Sequence, residues 1–569
     1  YLFGSDFGVP PGDARTIDAR SVMVWYDPRS RFGPLADPNG GTFLPADIAI
    51  AGFDTPTELL GRDAQDGVGL LFSPVDRLMQ VTIAGYGQAG NGMTSLRLAG
   101  TENTFFRRVA TNMLGYLGSE RDISNGSEPQ DVSDIFNPPG LNYQDLYWMD
   151  FDDPLNRPFD TSVAANYGPP AGTNAGATTT LDFNIFNDEA TANEAITAAG
   201  DSGSPLITDA YGRDVSLGVL SQGSRSFFDI TGFEDDNFVH FTAFSNFGTT
   251  AGYNPLFLFW DQIVVNNPYK YVQAQGGNRE WTDPTTWVQE IDPLYYTLSS
   301  HGTLRNRLPN TPALGFSDAA DNIGTINPNP SPIAACAFTV CPTTGGGSQP
   351  MPDSVALPGA EEVQHGGSPP PPPPPGPSTV DWLTGGLIPV GSGALTGPGT
   401  TNFVPDNTNG TAGLQNSARW FEVNLRNYGR VTLRDADIEI DRLNIRGFGA
   451  ELRIRDTASL TTNLTSYLDY GRLRVDGEFN PLAFDIFLGI VEGKGTINAP
   501  GGVSNFAGVI SPGGDDIGTL TINGDYAQGG YARTYCKSTA PLILPAICWC
   551  SPIGGCALAI ASRCCKPAV

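Results

Sequence analysis

The segment 196–210 reads ITAAGDSGSPLITDA, and its centre, Gly200-Asp201-Ser202-Gly203-Ser204-Pro205, places a serine between two glycines. A serine hydroxyl is a weak nucleophile. It attacks a carbonyl when a base takes its proton and two N–H groups face the developing oxyanion. Small residues let a carbonyl approach the backbone, so Gly200 and Ser202 are the candidate oxyanion donors, with Gly203 keeping the turn tight. Nineteen residues on, Ser221-Gln222-Gly223 ends the strand-like LGVLSQGS, a segment suited to pairing with an extended substrate by strand addition. Far upstream, Asp47 opens DIAI. A carboxylate buried among apolar residues must be hydrogen-bonded, and orienting an imidazole is one way to achieve that. The three histidines, His240, His301 and His365, all follow Ser202 and are dispersed singly, with His240 in FVHFTAF read as packing.

The elements that must position these groups are read from composition and turn chemistry. With 569 residues the chain exceeds one core and implies two or more domains. Its 69 glycines and 47 prolines, with only 16% charged residues, favour an all-β chain rich in turns. A formal charge of −28 repels phosphate, so nucleic acid and anionic lipid headgroups are excluded as partners. No apolar run is long enough for a membrane-spanning helix.

Along the chain, residues 1–266 read as short strands between Gly, Pro, Asn and Asp turns: SVMVWYD, ADIAIAGF, RLMQVTIAGYG, TSLRLAG, VSLGVLSQG and NFVHFTAF. FLFWDQIVV, 257–265, is expected as a closing strand or short helix. Residues 267–304 form an aromatic connector with Trp281 and Trp287. Residues 305–416 contain PPPPPPPGP and read as a Pro/Gly-rich linker without a core. From 417 to 531, brief strands recur about every ten residues (VTL, LNI, LRI, LRV, TIN, LTIN), which favours a parallel β-helix over a β-sandwich. Residues 532–569 hold six of the eight cysteines in spacings that match no zinc pattern, and translation out of frame is the simplest reading of that tail.

Taken in order, the motifs resemble the trypsin/chymotrypsin-like (S1) serine proteases over roughly residues 20–266. Asp47 falls at the family's DIA(L/I) motif, Gly85-Tyr86-Gly87 at its Gly-Trp-Gly strand, Ser202 at GDSG(G/S)P and Ser221-Gln222-Gly223 at its Ser-Trp-Gly strand. The rival nucleophile-elbow pattern is not met, because position 204 is serine. The resemblance implies a chymotrypsin-like double β-barrel and a serine endopeptidase without cofactor, acting on a protein or peptide substrate. Ser202 and Asp47 would then be catalytic, and the histidine is expected upstream of Tyr1. It also puts Ile196, six residues before Ser202, at the floor of the specificity pocket. DFDDP, 150–154, is an acidic loop of the kind that can take calcium, but it is read as solvated and no metal is expected.

GVISPGGDDIGTLTINGDY, 508–526, is similar to the late passenger coils of bacterial autotransporters. That resemblance implies export to the cell surface or beyond, through an outer-membrane translocator barrel that this chain does not contain. It also fits the absence of cysteine from residues 1–335, followed by a single small C-x4-C loop, Cys336–Cys341. The alternative is a protease-like adhesin or binding module without catalysis.

Overall fold

The structure is a computed structural model. It describes residues 47–53, 67–87, 108–118, 145–152, 186–223, 250–313, 395–407 and 420–535 with few gaps, and short pieces at 2–3, 17–18, 21–27, 380–381, 386–387 and 557–561. The expected all-β class is borne out: an antiparallel half-barrel is followed by a parallel β-solenoid of about 5 turns. The segments TSLRLAG and NFVHFTAF, with Cys336 and Cys341, lie outside the described residues.

The first unit contains β1 (Ser21–Tyr26), β2 (Ala49–Phe53), β3 (Gly69–Leu71), β4 (Met79–Gly85), β5 (Arg108–Leu114), β6 (Tyr116–Gly118), β7 (Leu146–Asp150), β8 (Pro205–Thr208), β9 (Val215–Gly223) and β10 (Thr250–Pro255). β4 shows why these segments pair. Met79, Val81 and Ile83 are buried while Gln80 is exposed, the alternation of a strand with one face on a core. In the curled sheet β9 lies beside β8, β8 beside β4 and β4 beside β5, while β10 joins β9 to β7. β1 and β2 form a separate antiparallel ribbon, with Trp25 opposite Ile50. FLFWDQIVV closes the unit as a helix rather than a strand: a 3-10 turn at Leu256–Leu258 precedes α1 (Trp260–Asn266).

The solenoid starts earlier than its strand rhythm suggests. β11 (Tyr269–Ala274) pairs in parallel with Trp420–Leu425, and β12 (Gly277–Glu280) with Gly429–Leu433. The aromatic segment 267–304 therefore supplies a first coil. Trp281 and Trp287 are fully buried in the solenoid core, their rings 4.7 Å apart. The interval between β13 (Trp287–Gln289) and Trp420 is an insertion into the solenoid, and its residues 395–407 pack Leu395 and Phe403 onto the same core. β14 (Tyr295–Leu298) then turns back and pairs with β3, stitching the coil to the half-barrel.

Six short strands expected from the sequence occur in the structure, five within longer strands and TIN as the whole of Thr496–Asn498: Gly429–Leu433, Arg442–Ile445, Ala450–Ile454, Arg472–Val475, Thr496–Asn498 and Thr519–Asn523. From Trp420 onward each complete coil contributes one strand to each of three sheets, and coils are offset by 18 residues (Ser466 to Phe484) to 25 (Thr496 to Thr521). Leu452, Leu473 and Val491 stack inward, each buried aliphatic side chain contributing about 1.5–3 kcal/mol. Gly493 marks a tight corner: at φ 126° its missing side chain leaves room for the Val475 carbonyl, which a Cβ would approach to 1.9 Å. Another corner carries exposed aromatics, among them Tyr428, Phe448, Phe487 and Phe506. At the far end, Ala557–Ala561 of the cysteine-rich tail pairs antiparallel with Thr519–Asn523.

Candidate active site

Ser202 sits where three strand ends meet. β8 is the middle strand, with Pro205 opposite Val219 of β9 and Leu206 opposite Ile83 of β4. Both pairings are antiparallel, so the C-terminal ends of β9 and β4 lie on either side of the turn that leads into β8. That turn is residues 200–204.

The turn is held from both flanks. On one side, the Gly203 N–H donates to the Leu220 carbonyl at 2.9 Å and the Leu220 N–H to the Ser204 carbonyl at 2.8 Å. On the other, Asp201 Oδ1 accepts the Gly87 N–H at 2.6 Å, while its Oδ2 accepts the Ala198 N–H at 2.9 Å. A Cβ on Gly85 or Gly87 would fall 2.0 or 2.5 Å from the Asp201 carboxyl group, so this carboxylate can enter only where both residues lack side chains. Gly200 and Gly203 adopt φ of 101° and 80°, a backbone that glycine takes without strain. Ser202 is exposed, and among the described residues no acceptor takes the N–H of Gly200 or Ser202. Two N–H groups with no acceptor among the described residues, beside an exposed hydroxyl, are candidates to receive a developing oxyanion.

Asp47 is brought to this end of the sheet. Its carbonyl accepts from Asn254 Nδ2 at 2.7 Å, and its Oδ2 accepts from Ser221 Oγ at 3.0 Å. The sequence suggested a buried carboxylate; instead Ile48 is buried and Asp47 is exposed, because the alternation of this strand sends Ile48 inward. Neighbouring protein still removes enough water to push the Asp47 pKa up, and the Ser221 hydroxyl opposes that rise. Ser221 follows Leu220, which pins the Ser202 turn, so the two expected catalytic side chains are tied through two adjacent residues of β9.

Gln222 and Gly223 pair with Gly252 and Ala251 of β10 on one side. Beyond Leu220 the other side of β9 has no strand partner among the described residues, which leaves an edge next to Ser202. Ile196 is half-buried and packs against the half-barrel core. Of the histidines, His301 is described; it is exposed in the turn after β14, and its backbone N–H donates to Ser299 Oγ. His240 and His365 lie outside the described residues.

Of the acidic loop, the described residues Asp150 and Asp152 are not solvated. Asp150 and Asp152 are buried and, with Asp188, bring carboxylate oxygens within 4.8 Å of one another. Burial raises the Asp188 pKa to about 6, and a hydrogen bond shared with the Asp152 carboxyl group opposes the rise. Glu194 spans the same corner, accepting the Asp152 N–H at 2.8 Å and the Thr191 N–H at 2.5 Å.

Two groups escaped the sequence reading. Asp201 looked like part of a turn motif, whereas its carboxylate ties that turn to Gly87; the paired glycines of Gly85-Tyr86-Gly87 were the available signal. Lys270 is fully buried on β11, its Nζ donating to the Val264 and Val265 carbonyls at the end of α1 at 2.8 and 3.2 Å. Alternation in YKYVQA, which puts Lys270 on the face of Val272 and Ala274, could have revealed it. No family model matches this chain, and no curated protein matches it.

Proposed function

We propose that this chain is a serine endopeptidase carried on an exported passenger. Ser202 attacks the scissile carbonyl of a peptide, and the N–H groups of Gly200 and Ser202 hold the oxyanion. Asp47 orients the imidazole of a histidine supplied by sequence preceding Tyr1. Gln222 and Gly223, with Ser221, align the substrate backbone, and Ile196 limits the specificity pocket to small aliphatic side chains. The observation that carries this reading is the link from the Ser202 turn through Leu220 and Ser221 to Asp47, formed by residues far apart in sequence.

The solenoid supports the passenger part of the reading. Coils of 18 to 25 residues with no large disulfide loop can thread an outer-membrane translocator barrel and then stack outside the cell. The trypsin-like ancestry, the export route and the extracellular location belong to the proposal.

The test is a fluorophosphonate probe applied to full-length protein that includes the sequence before Tyr1, with the modified residue located by peptide mapping. Labelling at Ser202 that disappears in Ser202→Ala is the expected result. A folded protein that contains the upstream histidine and takes no label would instead be a binding module built on a protease-like scaffold.

A further inference from the structure

β5 carries a polar side chain in its apolar row. Alternation puts Asn112 on the face of Leu114, and both are fully buried. A buried amide must be hydrogen-bonded. Asn112 Nδ2 donates to the Asp150 carbonyl at the end of β7 at 2.7 Å and to the Ala195 carbonyl at 2.9 Å. Neighbouring Thr111 adds two backbone bonds to the same segment: its N–H donates to the Asn193 carbonyl at 3.1 Å, and its carbonyl accepts the Ala195 N–H at 3.2 Å. Glu194 accepts the N–H groups of Thr191 and Asp152, which joins the segment to the residues that follow β7. Three residues beyond Ala195, the Ala198 N–H donates to Asp201 Oδ2, and the Ala198 carbonyl accepts the Asp201 N–H at 3.0 Å. Residues 195–198 belong to no strand, so the bonds at Ala195 and Ala198 fix the course of Ile196 and Thr197 between them.

We infer that Asn112 and Glu194 are positioning residues that set the side-chain preference by holding Ile196 in place, an inference that rests on the endopeptidase reading above. Both act through Ile196 rather than on the substrate. Ile196 turns away a large side chain only if its own backbone does not retreat, and a segment outside the strand ladder retreats unless other bonds hold it. The clamp of Asn112 and Glu194 supplies those bonds from β5 and from the end of β7. The Ser202 turn has anchors of its own at Gly87 and Leu220, so the nucleophile and the pocket wall are fastened separately. Loosening the clamp therefore changes which side chain is accepted and spares attack by Ser202.

The experiment uses full-length protein, including the sequence before Tyr1, and peptides that differ only in bearing Ala, Leu or Phe before the cut. In the unaltered chain a kcat/KM ratio of Ala over Phe of about tenfold or more is expected. In Glu194→Ala and in Asn112→Ala the ratio should fall to within about threefold, through a lower KM for the Phe peptide, with fluorophosphonate labelling at Ser202 kept within about twofold. Glu194→Gln, which keeps an acceptor oxygen, should lie between. Leu258→Ala, a truncation in the half-barrel core that removes none of these bonds, should lower stability and leave the ratio unchanged. Either clamp variant decides alone if the other does not fold. An unchanged ratio in folded variants that label at Ser202 overturns the clamp and leaves the endopeptidase reading standing. Labelling lost in the variants but present in the unaltered chain has the same consequence. Equal cleavage after Ala and Phe by an unaltered chain that labels overturns the clamp together with the Ile196 assignment. Absence of both cleavage and labelling in the unaltered chain overturns the endopeptidase reading as well.

Discussion

Ser221 Oγ donates a hydrogen bond to Asp47 Oδ2 at 3.0 Å, joining residues 174 apart in the chain. The bond holds the carboxylate at the Ser202 end of the sheet and counteracts the pKa rise caused by the water that neighbouring protein removes. In Ser221→Ala that counterweight is lost. The Asp47 pKa rises further, and the acid limb of kcat/KM moves to higher pH. At this solvent-exposed bond the contribution is about 1 kcal/mol, so on the proposed function kcat/KM on the plateau falls by roughly fivefold in the full-length protein. An unmoved acid limb would mean that Asp47 does not titrate in catalysis.

Gly87→Ala tests the lock on the Ser202 turn. The new Cβ would lie 2.5 Å from the Asp201 carboxyl carbon, so the carboxylate must withdraw and release Gly87 and Ala198. Fluorophosphonate labelling at Ser202 should fall at least about tenfold, with about 1–3 kcal/mol of stability lost. Gly530→Ala, where a Cβ meets nothing within 4 Å, is the control and should alter neither quantity.

Lys270 should make stability depend on alkaline pH. Burial lowers its pKa from 10.5 to about 7, with Asp292 opposing the fall. Between these values the unfolded chain holds a proton that the folded chain has released, so stability rises from pH 7 to pH 10 and is least at and below pH 7. Denaturant titrations across that range should show a gain of the order of 1–4 kcal/mol. In Lys270→Met this rise should vanish, although the Val264 and Val265 carbonyls lose their donor. An identical slope in the variant would assign the pH dependence to other groups.

Asp188 gives the opposite dependence on the acid side. Its pKa is raised to about 6 by burial, so the folded chain binds more protons than the unfolded chain between about pH 4 and pH 6. Its contribution to stability is greatest below that window and is lost as pH rises through it. Asp188→Asn should stabilise the half-barrel at pH 7.5 by roughly 1–3 kcal/mol, with little effect at pH 4. Circular dichroism melts at the two pH values would read the difference, and equal shifts at both would count against it.

Trp281→Ala distinguishes a connector from a coil. The Trp281 N–H donates to the Thr432 carbonyl at 2.7 Å, and its Nε1 donates to the Pro405 carbonyl at 3.2 Å. Removing this fully buried ring should cost about 3–5 kcal/mol and raise amide hydrogen exchange across 429–454. Exchange confined to 267–304 would show that the solenoid does not depend on this coil.

The solenoid was legible wherever a local rhythm exists. VTL, LNI, LRI, LRV, TIN and LTIN each carry apolar residues in alternation, and each became part of a strand because coil stacking needs only a short inward face. The Trp281 segment was not legible as a coil. Its partner strands begin at Trp420, beyond an insertion of more than a hundred residues, and nothing local records such a pairing. α1 was ambiguous for a related reason: a short, mostly apolar run, interrupted only by Asp261 and Gln262, is compatible with either period until its neighbours are known.

At the candidate site, sequence alone determined the chemical types: a serine between glycines, a carboxylate before a strand, and a Ser-Gln-Gly strand end. Those are properties of residue type and short spacing. Tertiary structure decided what they do to one another. It put Ser221 rather than an apolar wall against Asp47 and gave the Asp201 carboxylate to Gly87. These outcomes depend on which strands become neighbours across more than a hundred residues, and that is set by the curl and pairing of the sheet, for which no local spacing carries a signal.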